Sequence, residues 1–396
     1  MGKAPWLTVI GLGEDGPEGL PPASRAALDG AEVVMGPERH LSLVPDSGAE
    51  RIVWPVPFSE GLAVLRGLAG RRVAVLASGD PFWFGAGSVI AREFEADEWR
   101  ALPGVSTFSL AAARMGWGLE GTRCLGLHAA PLTRLRPHLA RGQRVIVLLR
   151  DGAAVAELGA FLTGLGFGAS SLTVMEALGG PRERVTRARA EDALEGFGHP
   201  VCVALEVAGE GAALHRASGQ ADAVFDSDGA LTKRPVRALT LSALAPKAGE
   251  MLWDIGGGSG SIGIEWLLSH PATQAVAVEV RPERAARMRA NAAALGVDRL
   301  QVVEGRAPEA LADLPRPDAV FVGGGLSEAL LEHVTAMPGV RLVVNAVTLE
   351  SEALLAGWQA RLGGTLLRIE LAEAGALGTR RGWKASYPVV QWSVTT

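Results

Sequence analysis

Leu252-Trp253-Asp254-Ile255-Gly256-Gly257-Gly258-Ser259-Gly260-Ser261-Ile262-Gly263 is the most informative stretch of the chain. An apolar run holds an acid near its end, a glycine turn follows, and residues 262–269 have helical composition. Glycines let a backbone take positive φ and pass close to a ligand. A second acid, Glu279, ends the next strand-like run, Ala275-Val276-Ala277-Val278, 25 residues after Asp254. That offset is near the ~20 residues expected for a ribose-binding carboxylate. Ribose hydroxyls are donors, so an ionised acceptor at a strand end suits them. A dinucleotide fingerprint keeps its third glycine for helix–strand packing. Asp254-x-Gly-x-Gly-x-Gly fits instead a turn that holds an amino acid and a ribose.

The surrounding sequence alternates short β-branched runs with Ala/Leu/Arg helices. Strands are expected over 6–11, 32–35, 72–77, 144–149, 200–207, 251–255, 274–280, 300–303, 318–322 and 341–344. Helices are expected over 22–28, 106–115, 155–165, 262–269, 282–295 and 351–362. Such alternation predicts an α/β protein built of βαβ units on largely parallel sheets. Residues 208–229 break the rhythm with Gly209, Gly211, Gly219, Gly229 and the acids Asp222, Asp226 and Asp228. This places a linker at 208–229, between an N-terminal domain over 1–207 and a C-terminal domain over 230–396.

Length and composition narrow the function classes. A chain of 396 residues accommodates two to four domains. With 48% hydrophobic and 20% charged residues, each can bury a full core. The net charge of −5 gives no global attraction to nucleic acid or an anionic membrane. Residues 158–175 form the longest uncharged stretch, and four glycines break it. A membrane span needs roughly 20 unbroken apolar residues, and no secretory signal is visible. Cys124 and Cys202 lie in apolar runs, which reads as two buried free thiols in a reducing compartment. The seven histidines show no metal-ligand spacing. The expectation is a soluble cytoplasmic protein with no metal, no nucleic-acid partner and no membrane partner.

Three motifs in the N-terminal half matter as a set. Gly11-Leu12-Gly13-Glu14-Asp15-Gly16 follows the first strand. Leu76-Ala77-Ser78-Gly79-Asp80-Pro81-Phe82-Trp83-Phe84-Gly85 ends a buried strand, and Leu102-Pro103-Gly104-Val105-Ser106-Thr107 opens a helix. Pro81 holds Asp80 in extended geometry. Ser106 at a helix start can cap N–H groups or hold a ligand carboxylate. His128 reads as an ordinary strand-end histidine.

The segment around Asp254 resembles motif one of the class I S-adenosylmethionine methyltransferases. Leu231-Thr232-Lys233-Arg234-Pro235-Val236-Arg237-Ala238-Leu239, Val303-Glu304-Gly305-Arg306-Ala307-Pro308-Glu309-Ala310-Leu311 and Val343-Val344-Asn345-Ala346-Val347-Thr348-Leu349-Glu350 narrow the resemblance. They are similar to the C15-methyltransferase/decarboxylase (CbiT-like) family of the cobalamin pathway. The resemblance implies a Rossmann-like domain in which Thr232, Asp254, Gly256, Gly257, Gly258, Ser259, Gly260, Glu279 and Ala307 hold the cofactor. Relatives often carry an acid where this chain has Arg306. The N-terminal trio resembles the tetrapyrrole methylase (class III) family, closest to its C5-methyltransferase (CbiE-like) branch. That implies a fold of two α/β subdomains, with Gly79, Asp80, Trp83, Ser106 and Thr107 on the cofactor and Gly11 and Gly13 at the substrate mouth.

Together the halves resemble the fused precorrin C(5,15)-methyltransferase (decarboxylating) family. The resemblance implies two S-adenosylmethionine sites per chain, a tetrapyrrole (precorrin) substrate and a homo-oligomer. Precorrins carry many carboxylate arms, which local basic clusters can orient. The candidates are Lys233 and Arg234, Asn345 of the third motif, and Arg380, Arg381 and Lys384 beside Tyr387, the only tyrosine. No single catalytic acid or base stands out. The rival classes are an S-adenosylmethionine-dependent RNA or protein methyltransferase, a nicotinamide oxidoreductase and a non-catalytic scaffold. The acidic balance weighs against RNA, the missing dinucleotide fingerprint against nicotinamide, and two cofactor turns against a scaffold.

Overall fold

A computed structural model of the chain describes residues 5–396. These form two compact units. One holds the residues up to Pro131 together with His138–Ala212; the other holds Leu132–Pro137 with Ala213–Thr396.

The first unit contains two sheets. β1 (Leu7–Leu12), β2 (Val33–Gly36), β3 (Glu50–Val53), β4 (Val73–Ser78) and β5 (Trp99–Leu102) form an all-parallel sheet in the order β3-β2-β4-β1-β5. β1, β2 and β4 bury every residue except Ser78. Val9, Met35 and Val75 pack on one face, and Ile10, Val34 and Leu76 on the other. Burial on both faces is why these strands read as unbroken apolar runs.

β6 (Thr122–Gly126), β7 (Arg144–Leu149), β8 (Ser171–Glu176), β9 (Arg184–Arg189) and β10 (Val201–Glu206) form the second sheet, in the order β6-β7-β10-β8-β9. Only β6 and β7 are parallel. The expectation of largely parallel sheets holds for the first sheet and not for this one. β8, β9 and β10 follow one another with no intervening helix, so they pair antiparallel. β3, β5, β6, β8 and β9 lie outside the expected strands. All but the interior, buried β8 are edge strands, and their polar residues, such as Glu50, Arg51, Arg184 and Arg187, mask the strand pattern.

The second unit is built on β11 (Met251–Ile255), β12 (Gln274–Glu279), β13 (Gln301–Glu304), β14 (Ala319–Val322), β15 (Arg341–Ala346), β16 (Thr365–Ile369) and, after the hairpin β17 (Ala372–Leu377) and β18 (Arg380–Ala385), β19 (Val389–Thr395). The seven-stranded sheet runs β13-β12-β11-β14-β15-β19-β16. Its first five strands are parallel, and β19 is antiparallel to both neighbours. β17 and β18 pair only with each other.

Residues 208–229, expected as a linker, are bonded along much of their length. Ala208 N donates to Ser170 Oγ (2.9 Å). A Cβ at Gly209 would come within 2.3 Å of Gly166 O. Further on, Gly219 N and Gln220 N donate to Glu265 (2.6 and 2.9 Å). The fully buried Arg237 joins Glu265 (2.5 Å), Gln220 O (2.5 Å) and Asp222 (3.0 Å). Asp226 N donates to Asn291 Oδ1 (2.9 Å) while its carboxylate lies 3.4 Å from Arg287 Nε, and Asp228 Oδ2 accepts from Arg284 Nε (2.8 Å). The acids that read as linker polarity are therefore ion-pair and hydrogen-bond partners, and the division between units falls inside this stretch.

Candidate active sites

In the seven-stranded sheet, β12 and β14 flank β11, so the connections from β11 and β14 leave in different directions. Ligands of open α/β sheets bind in the crevice this opens at the carboxyl ends of the strands. Here the loops after β11 and β14 touch. Gly256 has φ +69°, and a Cβ on it would lie 2.6 Å from Gly324 O. Both facts require glycine. The loops border a cavity of about 1020 Å³. Thr232, Gly256, Gly257, Gly258, Glu279 and Ala307 line it, as do Lys233, Asn345 and Tyr387.

Glu279 is buried, and both its oxygens brace backbone. Oε2 accepts from Gly258 N (3.1 Å) and Oε1 from Arg281 N (3.0 Å). A carboxylate has about four acceptor positions, so capacity is left for hydroxyl donors from the cavity. Asn345 is fixed as well: Nδ2 donates to Thr240 Oγ1 (2.9 Å), and Oδ1 accepts from Gln391 Nε2 (2.9 Å). A nucleoside bearing an amino acid fits this wall. Glycine backbone allows close approach, and the strand-end carboxylate can receive ribose hydroxyls.

Asp254, Ser259 and Gly260 do not line the cavity. Asp254 is fully buried behind the turn, where Oδ2 accepts from Gly263 N (2.9 Å) and starts the following helix. Burial pushes its carboxyl up to about 7; the Gly263 N–H opposes this and the Glu279 charge adds to it. Ser259 O accepts from Asn291 Nδ2 (2.9 Å), and a Cβ at Gly260 would strike Met288. These three residues shape the turn from behind. Arg234, Arg380, Arg381 and Lys384 also lie off the cavity wall. The last three stand on exposed β18, and only the base of its hairpin, at Ala372, Glu373 and Ser386, reaches the cavity. Arg281, Arg284 and Arg306 line the wall instead. Arg306 lies in a quoted motif; Arg281 was legible only as the second residue after Glu279.

The first unit has its own cavity, of about 840 Å³, reached by loops of both sheets. Gly79 (φ +50°) donates to Leu12 O, and Gly104 N donates to Gly79 O, both at 3.0 Å. A Cβ at Gly11 would lie 1.8 Å from Gly79 O and 2.3 Å from Gly104 N. Gly11 therefore sits under the wall as packing, while Gly13, Gly79, Asp80, Trp83, Ser106 and Thr107 line it. Asp80 Oδ1 accepts from Phe82 N (2.9 Å), fixing the turn. Ser106 Oγ caps the helix Thr107–Met115 by accepting from Ser109 N (3.0 Å). Trp83 packs on Phe108 with ring centroids 4.8 Å apart. His128 borders the cavity, and burial lowers its pKa. Glu14, Arg39, His40 and His199 line it too and were not singled out by sequence.

Sequence models of known families match both units. That of the tetrapyrrole (corrin/porphyrin) methylases matches residues 7–194, and that of a precorrin methyltransferase domain matches 223–396. A precorrin-6Y C(5,15)-methyltransferase (decarboxylating) of Sinorhizobium sp is 51% identical over 401 residues, covering 99% of this chain and 97% of that protein. The chain belongs to the precorrin-6Y C(5,15)-methyltransferase (decarboxylating) family. It is a methyltransferase of cobalamin biosynthesis. A member from Mycobacterium tuberculosis is 42% identical over 403 residues, covering 98% of this chain and 99% of its own. The solved C-terminal domain of the Rhodobacter capsulatus precorrin-6Y C5,15-methyltransferase is 50% identical. It covers 46% of this chain and 100% of that one, with a TM-score of 0.45.

Proposed function

We propose that each unit holds its own S-adenosylmethionine and that the two divide the reaction the family name describes. The first unit methylates carbon 5 of the precorrin. The second methylates carbon 15 and removes the ring-C acetate carboxyl at carbon 12 as carbon dioxide. The observation that carries this reading is the pair of unlike glycine-walled cavities at the carboxyl ends of the parallel strands of two separate sheets.

When bound, the cofactor supplies an electrophilic methyl on a sulfonium. An enamine-like meso carbon is already nucleophilic, so the protein's task is mainly alignment, worth several kcal/mol. In the second unit, Glu279 and the turn Gly256–Gly258 set the donor, and Lys233, Arg281 and Arg306 face the acidic arms of the macrocycle. Loss of carbon dioxide leaves an electron pair that the iminium-like macrocycle accepts, and a proton delivered to the exocyclic carbon then completes the methyl at carbon 12. In the first unit, Gly79, Asp80 and the helix start at Ser106 border the donor, and Gly13 borders the substrate. Unpaired Cys124 and Cys202 suit a cytoplasmic enzyme, and the class III resemblance implies a homo-oligomer.

The test is the product mass after turnover with methyl-deuterated S-adenosylmethionine. The reading expects two labelled methyls gained and one carbon dioxide lost. A single labelled methyl from the intact chain would refute it.

A further inference from the structure

The first unit's cavity contains a built polar cluster with no part in the chemistry proposed above. Glu14, in the loop after β1, is buried, and its two oxygens take separate guanidinium groups. Oε1 accepts from Arg39 Nη1, and Oε2 accepts from Arg182 Nη2 (3.0 Å). Arg39 follows β2, and Arg182 lies between β8 and β9. Arg39 Nη2 also donates to Ser78 Oγ (2.9 Å) and to His40 Nε2 (2.7 Å). His40 is buried, and its Nε2 can accept from Arg39 only in the neutral form. Burial first, and the Arg39 charge next, hold its pKa down to about 4, which keeps that form at neutral pH.

A buried carboxylate needs partners, but one guanidinium would satisfy it. Two guanidinium groups against one carboxylate leave a net positive charge at the wall. Arg39 uses three of its five N–H donors on Glu14, Ser78 and His40. Its plane is thereby fixed, and two donors remain. Arg39 lines the cavity, whereas Arg182 stands at the surface with 62% of its side chain exposed. Desolvation and the charge of Arg182 both disfavour the Arg39 cation, so an added anion would be stabilised there.

We propose that Arg39, set by Glu14 and seconded by Arg182, binds a carboxylate arm of the tetrapyrrole in the first unit and so fixes which meso carbon meets the methyl donor. The proposal rests on the reading that the first unit methylates the macrocycle. It makes Arg39 a specificity-determining substrate contact, with Glu14 a positioning residue that acts through it.

The test uses the full chain with precorrin-6Y as substrate. Arg39→Gln should raise KM for methylation by the first unit about tenfold to a hundredfold, the loss expected for charge-assisted hydrogen bonds. Its affinity for S-adenosylhomocysteine should stay within about twofold, and decarboxylation should be unchanged. Arg39→Lys should fall between, since an ammonium keeps the charge without the planar fork. Glu14→Gln should raise KM alone but add little in the Arg39→Gln background, because both act through one contact. Arg182→Gln, at an exposed position that does not threaten folding, should raise KM a few-fold. Unchanged KM in Arg39→Gln and Arg182→Gln, or cofactor affinity falling in step with KM, would overturn the proposal. A wild-type chain whose first unit transfers no methyl would instead overturn the underlying reading.

Discussion

On the proposed reading, the two cavities meet the same chemical need with different materials. In the second unit, one contiguous turn does most of the work. Gly256–Gly258 forms the wall, Glu279 braces it from the next strand, and Asp254 anchors the helix behind it. In the first unit, the wall is assembled from distant loops. Gly11, Gly79 and Gly104 touch through backbone, and Glu14 gathers arginines from positions 39 and 182. A donor site can thus rest on one local motif or on the convergence of several loops. The second kind depends on long-range packing and is more exposed to single substitutions far away in sequence.

The comparison can be broken most sharply by Arg237→Ala. Removing one partner of a buried ion pair leaves the other charge uncompensated and costs about 3–5 kcal/mol. Arg237 is fully buried against Glu265. The second unit should melt earlier, with decarboxylation lost and first-unit methylation retained in the mass assay. Loss of both activities would deny the units their independence. Next in size is Gly11→Ala. The new methyl would collide with Gly79 O and Gly104 N, both backbone atoms that cannot swing away. Overpacking of this kind costs about 1–3 kcal/mol or more. Methylation by the first unit should fail while carbon dioxide is still released.

These two variants show what the sequence could and could not reveal. The turn around Asp254 was legible because its glycines and acids are contiguous and Glu279 lies one strand on. The all-parallel β1, β2 and β4 were legible because burial on both faces leaves plain apolar runs. Edge strands such as β9 were not, since their arginines face outward. Glu14 lay inside the quoted turn 11–16 without being singled out, and Arg39 lies in no motif; only the fold brings them within bonding distance. Arg380, Arg381 and Lys384 misled for the opposite reason. They are near Tyr387 in sequence, but β18 carries them away from the cavity that Tyr387 lines. Asp254 shows a subtler limit: motif position does not say whether an acid faces the ligand or the helix behind it.

Glu279→Ala sharpens the contrast at a smaller energy. It removes the acceptor of Gly258 N and Arg281 N and, on the proposed reading, of the ribose hydroxyls. A loss of roughly 1.5–3 kcal/mol corresponds to about a tenfold to hundredfold drop in cofactor affinity. At limiting cofactor the product should gain one methyl and keep its carboxyl. A variant that decarboxylates normally with unchanged affinity would reduce Glu279 to a strand end.

The smallest effect is a difference of sign in pH dependence. Asp254 titrates near 7 in the folded chain, above its ordinary value of 3.8. The folded state binds more protons across that window, so this group's contribution falls as pH rises from about 4 to about 7. His40 is shifted from 6.5 down to about 4. There the unfolded state binds more protons, so its contribution rises between about pH 4 and 6.5. Urea melts of the wild type against Asp254→Asn and His40→Gln should show slopes of opposite sign, each no steeper than about 1.4 kcal/mol per pH unit. Slopes of the same sign would contradict the burial of one of the two groups.

The central claim is two separate donor sites in one chain, and calorimetric titration with S-adenosylhomocysteine reads it directly. The account predicts two equivalents bound per wild-type chain. Under conditions where the second site of Glu279→Ala is too weak to register, that variant should bind one, and Gly11→Ala, which spoils only the first unit, should also bind one. A single equivalent in the wild type, or the loss of both sites through either substitution, would contradict it.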